Sequence, residues 1–119
     1  MLVAFSTEGE NLDSLLDTRF GRCRHFLVLN ATSSDFKVME NAQNLHAAQG
    51  AGIQSAQNVI AAGAQALVTG HCGPKAFKVL QAAGVSIYLG EEKSIRALIE
   101  DFHNGKLEPL TSPNVEGHW

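Results

Sequence analysis

The 119-residue chain has only two cysteines, three prolines, one tryptophan and one tyrosine. Cys23 and Cys72 lie far apart with no CxxC pair. That argues against a disulfide scaffold, a zinc ribbon or a thioredoxin motif. Basic residues are not in excess. Nine Lys and Arg stand against twelve Asp and Glu, a net charge of −3, which argues against bulk nucleic-acid binding. No apolar run approaches the roughly 20 residues that span a bilayer. Met1–Ser6 lacks the basic start of a signal peptide, so a cytoplasmic location and no membrane partner are expected. What is present is ordinary for a globular chain, 45% hydrophobic and 18% charged. The length suits one domain over residues 1–119.

Periodicity predicts an α/β order. Leu2–Ser6 reads as a buried strand, His25–Asn30 as a second, and Phe36–Glu40, with its alternation, as a half-exposed edge strand. Thr32-Ser33-Ser34-Asp35 is a turn cluster that makes the last two a hairpin. Leu12, Leu15 and Leu16 suit one helical turn in the connection Thr7–Arg22. A helix starting at Gly50 or Gly52 carries Ile53, Ala56, Val59 and Ile60 on one face and stops at Gly63. Ala64–Thr69 is the fourth strand. Pro74 opens a helix to Ala83 with Gly84 as its stop. Val85–Leu89 is the fifth strand. Ser94 caps a last helix striped by Ile95, Leu98, Ile99 and Phe102 and stopped by Gly105. A C-terminal tail follows from about residue 106.

The resulting order, β-β-β-α-β-α-β-α, predicts a ribonuclease-H-like mixed sheet of five strands with helices on both faces. Strands one, four and five are the most apolar, as buried parallel strands are. In such sheets ligands sit beyond the carboxyl ends of the strands. Three segments converge there: the loop after strand one, the helix start at Gly50-Ala51-Gly52, and the turn Gly70-His71-Cys72-Gly73-Pro74-Lys75.

That turn has the richest chemistry. Thiolate and imidazole from Cys72 and His71 suit soft metals, and a helix N-terminus favours the thiolate. Gly70 and Gly73 let the backbone approach a ligand. The plainer alternative is a buried, inert cysteine. Lys75 in the first helical turn opposes the helix dipole unless an anion is bound there. Arg19, Arg22 and Arg24 form a basic patch suited to polyvalent anions, although Asp17 could serve as a partner. If strand two began early, alternation would put Arg22, Arg24 and Phe26 on one face and Cys23 and His25 on the other.

Gly50-Ala51-Gly52-Ile53-Gln54-Ser55 imitates a dinucleotide fingerprint but follows a polar loop, Asn41–Gln49, and has Ser55 at the third glycine. Its N–H groups would serve another anion equally well. His46 reads as a solvated loop residue, His103 as a structural cation near a helix end, and His118 and Trp119 as terminal residues. A two-metal nuclease needs carboxylates on strand ends, and the strands end in Ser6-Thr7 and Thr69-Gly70-His71. A Cys–His hydrolase using Cys72 with His71 or His46 lacks an orienting carboxylate. Neither enzymatic reading is therefore expected.

Asp17-Thr18-Arg19-Phe20-Gly21-Arg22, Gly50-Ala51-Gly52-Ile53 and Gly70-His71-Cys72-Gly73-Pro74-Lys75-Ala76 occur in an order that resembles the dinitrogenase iron–molybdenum cofactor biosynthesis (nitrogenase accessory factor) family. The last run and the end, Pro113-Asn114-Val115-Glu116-Gly117-His118-Trp119, look most like its orange-protein branch. The resemblance implies the same ribonuclease-H-like fold and a carrier of an anionic metal–sulfide cluster, molybdenum–copper–sulfide ahead of an iron–molybdenum precursor. It implies Arg19, Arg22, Arg24, Gly50, Gly52, Ile53, Gly70, Gly73 and Lys75 as cluster-binding positions, with His71 and Cys72 at the metal. It also implies ParA/MinD-type P-loop ATPases as partners, so the class-different alternative is an adaptor of such an ATPase with a vestigial pocket. Several nitrogenase-linked members carry a His before the Phe-Gly of the first motif, where Arg19 stands here. That exchange favours electrostatic capture over direct ligation.

Overall fold

The structure, a computed structural model, describes residues 1–41 and 50–115. The chain runs β1 (Leu2–Thr7), a 3₁₀ turn (Phe20–Arg22), β2 (His25–Asn30), β3 (Phe36–Glu40), α1 (Ala51–Ala61), β4 (Ala66–Thr69), α2 (Pro74–Ala82), β5 (Ser86–Leu89), α3 (Ile95–His103) and β6 (Glu108–Pro109). The sheet has six strands in the order β3-β2-β1-β4-β5-β6. β1, β4 and β5 are parallel neighbours, β2 is antiparallel to β1 and β3, and β6 is antiparallel to β5.

The expectation of five strands is therefore corrected to six. β6 is two residues long and contains Pro109, so it has no periodicity to read and one N–H fewer to pair. It pairs through Leu89↔Glu108 and Tyr88↔Pro109, and Leu110 N then donates to Ile87 O at 2.8 Å. The expected tail is thus, as far as Val115, a strap along the sheet edge. His118 and Trp119, like His46 and the rest of 42–49, lie outside the described residues.

Two apolar layers sandwich the sheet, as alternation along buried strands requires. Ala4, Phe26, Val28, Leu67 and Ile87 pack under Ala56 and Val59 of α1 and Ala76, Phe77 and Leu80 of α2. Val3, Phe5, Leu27, Leu29, Ala66 and Val68 pack under Ile95 and Leu98 of α3. Each fully buried Phe or Leu contributes about 1.5–3 kcal/mol relative to exposure. The helix signals in the sequence operate as expected. Ser94 Oγ accepts from Ala97 N at 3.1 Å, Pro74 opens α2, and Gly63, Gly84 and Gly105 follow the three helices at positive φ.

The segment after β1 departs from expectation. Leu12–Leu16 forms no helical turn. Leu16 is fully buried while Leu15 is 42% exposed. Leu16 forms an isolated bridge to Thr7, and Leu15 one to Ser94. Two leucines whose backbones pair on opposite sides cannot share a helical face.

The topology gives the sheet one busy edge. Thr7, which ends β1, pairs with His25, which begins β2, and His25 pairs with Glu40, which ends β3. β4 ends there in Thr69, and α1 and α2, each packed antiparallel to the strands they connect, both begin there.

Candidate functional site

A buried polar joint ties the loop after β1 to β4 at this edge. Ser6 Oγ donates to Asp17 O at 2.7 Å and shares a hydrogen bond with Thr69 Oγ1 at 2.8 Å. Asp17 N in turn donates to Ser6 O at 2.8 Å. All three residues are buried. The loop then runs beside the turn after β4 as a short parallel bridge, Arg19↔His71. His71 N donates to Thr18 O at 2.7 Å, and Phe20 N to His71 O at 3.3 Å.

The 3₁₀ turn packs on α1, and α1 on α2. The three segments expected from the sequence thus meet. Gly50 precedes α1 at φ 81°, Gly52 is buried within it, and Ile53 is half-buried. Gly73 caps α2 at an ordinary φ of −77°, and Lys75 is exposed in its first turn. His71 and Arg24 are exposed and Arg22 is half-buried.

Gly70 has a different reason from the one expected. A Cβ built there would lie 2.5 Å from Thr18 Cβ and 2.9 Å from Thr18 Cα. The glycine admits the neighbouring loop of this chain. The turn's amides are also committed: His71 N to Thr18, and Cys72 N to Asn114 Oδ1 at 2.9 Å. The backbone N–H donors at the turn are therefore those of the α2 start, where Phe77 N is the first to close a helical bond, to Gly73 O at 2.9 Å.

Cys72 reverses the expected ionisation. It is fully buried in the layer under α2 with Phe77 and Leu80. Burial pushes its thiol up to about 12, so loss of solvation outweighs the nearby helix dipole. Cys23 is buried in the same apolar layer as Phe26, so the alternation that would separate them does not extend back from β2, which starts at His25. Its thiol is pushed up by burial and Asp17, with the Asn41 hydrogen bond opposing. Among the described residues no group of three His, Cys, Asp or Glu side chains could hold a metal ion.

The charges are similarly specific. Arg19 is 51% exposed but pairs with Asp17, whose side chain is only 6% exposed. Arg24 and Lys75 enter none of the three ion pairs found among the described residues, which are Arg19–Asp17, Lys93–Asp101 and Arg96–Asp13.

Sequence reasoning missed two asparagines that frame the site. Asn41, fully buried, donates from Nδ2 to Cys23 O and Ser55 Oγ, both at 3.0 Å, and accepts from Asn58 Nδ2 at 3.0 Å. Asn114 reaches the Gly70–Cys72 turn from the strap. A lone Asn in a polar stretch reads as loop; the available signal was that Asn114 falls inside the motif Pro113-Asn114-Val115.

Residues 1–105 match the family model of the dinitrogenase iron-molybdenum cofactor proteins. The chain belongs to that family. The apo orange protein of Desulfovibrio gigas is similar in structure, with a TM-score of 0.92, 36% identity and 96% of each chain covered. A NifB-like protein from Thermotoga follows the same fold with a TM-score of 0.84 and 33% identity over 98% of each chain. The uncharacterized protein MJ0580 of Methanocaldococcus jannaschii is 32% identical over 95 residues, 78% of this chain and 80% of that protein. No helix among the described residues is long and apolar enough to cross a membrane.

Proposed function

We propose that this protein is a non-catalytic carrier of an anionic metal–sulfide cluster, of the molybdenum–copper–sulfide type ahead of an iron–molybdenum precursor. Its kinship with cofactor-family proteins and an orange protein supports the class of cargo. The observation that carries the mode of binding is the meeting of the Arg19–Arg24 segment, the α1 start and the His71–Lys75 turn at one edge, with Cys72 turned into the core as a neutral thiol. The cargo is held by charge. Arg22, Arg24 and Lys75 supply it, and His71 offers an exposed imidazole. The N–H groups at the starts of α1 and α2, those of Gly50–Ile53 and those of Gly73 and Lys75, face the same anion. Arg19 contributes donors more than net charge because Asp17 cancels it. Cys72 supports the turn from beneath. We assign the sheet to the ribonuclease-H-like class on its order β3-β2-β1-β4-β5, with only β2 reversed among those five.

Apo-protein mixed with tetrathiomolybdate and Cu(I), then desalted, is expected to retain both metals and show visible charge-transfer absorption. Arg22→Glu weakens that retention more than Cys72→Ser does. No retained metal overturns the carrier reading. Loss of retention on Cys72→Ser alone, with Arg22→Glu harmless, overturns the electrostatic mode in favour of ligation.

A further inference from the structure

Asn114 binds the backbone of the Gly70–Cys72 turn at three points. Its Nδ2 donates to Gly70 O at 2.9 Å, its Oδ1 accepts from Cys72 N at 2.9 Å, and its own N donates to Cys72 O at 3.2 Å. The residue is itself exposed, so these bonds do not arise because burial compels an amide to find partners. The other side of the same turn is held independently. His71 N and O bond Thr18 O and Phe20 N, at 2.7 and 3.3 Å. Residues 70–72 therefore behave as a short strand between two neighbours. Segment 18–20 takes the polar groups of His71, and Asn114 takes those of Gly70 and Cys72.

This arrangement decides what the turn can offer a ligand. With Cys72 N–H engaged by Asn114 and His71 N–H by Thr18, residues 71 and 72 present side chains, not amides, and the N–H donors lie further on, at the α2 start. With Cys72 clamped at both N and O, its side chain is kept in the apolar layer with Phe77 and Leu80. We propose that Asn114 is a positioning residue of this site: reaching across from the C-terminal strap, it sets the turn so that His71 faces outward, Cys72 stays inward, and the Cys72 amide is withheld from an incoming anion. Nothing in the family match, which ends at residue 105, covers Asn114. Only the consequence for cluster retention rests on the carrier reading; the clamp itself does not.

The test uses the full apo-protein first. In Asn114→Ala, exchange of the Cys72 amide proton and alkylation of the Cys72 thiol by N-ethylmaleimide, read by peptide mass, both accelerate by about tenfold, the loss of one to two hydrogen bonds. Alkylation of Cys23, held separately by Asn41, keeps its wild-type rate. Asn114→Asp keeps the acceptor for Cys72 N–H but loses the donor to Gly70 O, and gives an intermediate Cys72 rate. If Cys72 and Cys23 accelerate together, the residue is a general stabiliser. If neither changes, the clamp is idle. Either result overturns the proposal, whatever the cluster does. With tetrathiomolybdate and Cu(I), Asn114→Ala shows shifted charge-transfer bands relative to wild type. Failure of the wild-type protein to retain metal removes the carrier reading while leaving the alkylation and exchange results to stand or fall alone.

Discussion

Asp17 Oδ1 accepts from both the backbone N and Nε of Arg19, at 3.0 and 3.2 Å, while Oδ2 accepts from Nη2 at 3.3 Å. A nearly buried carboxylate thus lies beneath a half-exposed guanidinium. The hydrogen bond to Asp17, then its charge, hold the Arg19 pKa above its ordinary value. The pair is charge-neutral and leaves the guanidinium tethered but half in solvent. Asp17→Asn removes the cancelling charge at the edge. Retention of an anionic cluster is expected to rise a few-fold at low salt, and the gain to shrink at high salt as surface charge is screened. Folding stability falls by no more than about 1 kcal/mol because Arg19 is half in solvent. Titration at two ionic strengths checks this. Weaker retention in the variant at both would mean that Asp17 matters for aiming Arg19, not for offsetting it.

The buried thiols make an alkaline prediction. Unfolded cysteine ionises near pH 8.5, whereas burial pushes Cys72 up to about 12 and raises Cys23 as well. Below pH 8.5 both states hold the proton and the full stability is present. Above it the unfolded chain has lost the proton and the native chain has not, so unfolding becomes easier as pH rises. Each thiol removes about 1.4 kcal/mol per pH unit until its native pKa is reached. Urea denaturation at pH 8 and pH 10 should show Cys72→Ala losing about 2 kcal/mol less than wild type over that interval. Equal losses would mean that the native thiol ionises as readily as the unfolded one.

The close approach of Gly70 to Thr18 predicts a steric penalty with a second-site remedy. An added Cβ at 2.5 Å from Thr18 Cβ and 2.9 Å from its Cα cannot be relieved by a rotamer change. Gly70→Ala is expected to cost about 2–3 kcal/mol, or a melting-temperature loss on the order of 10 °C. Thr18→Gly in the same chain removes the Cβ conflict but not the Cα conflict, so it restores part of the loss. Gly50→Ala is a useful contrast. Nothing lies within 4 Å of a Cβ there, but φ is 81°, so its cost of about 1 kcal/mol comes from the backbone alone and Thr18→Gly leaves it unchanged.

These cases show what a sequence of this kind makes legible. Ser94, Pro74 and the glycines after each helix act through the chain immediately around them, so their roles could be read locally. The converging edge was legible for a similar reason: parallel strands joined by helices bring every β-to-α turn to one side. The ionisation of Cys72 was not legible. The helix start beside it is a local feature, but its desolvation comes from Phe77 and Leu80 packing over the sheet. Asp17 was visible as a candidate partner, but its depth, which makes the pairing firm, was not. Gly70 was legible as a place of close backbone approach, but its neighbour Thr18 was not, because it lies 52 residues away along the chain. β6 and Asn114 depend on where the strap runs, and no local pattern of two residues or one carries that information.

Asn41 provides the most demanding prediction, because its buried side chain joins the Cys23 backbone to α1. It is fully buried at the end of β3. It joins Cys23 O, Ser55 and Asn58, while its backbone N donates to Arg24 O at 2.7 Å. The side chain thereby fastens the Arg22–Arg24 segment to the first two turns of α1. Asn41→Ala strands the Cys23 carbonyl and the Ser55 hydroxyl in the interior and is expected to cost about 2–4 kcal/mol. Asn41→Asp keeps the volume and separates shape from chemistry. A carboxylate has no donor for Cys23 O, and burial favours its neutral form. The native pKa of the new acid is then raised above the unfolded value of about 3.9, so its stability is retained below that value and lost as pH rises. The melting-temperature deficit of Asn41→Asp relative to wild type should be smaller at pH 4 than at pH 7, whereas the deficit of Asn41→Ala stays nearly constant. A deficit for Asn41→Asp that does not change with pH would show that water reaches residue 41 and that its hydrogen bonds are not what fasten the arginine segment to α1.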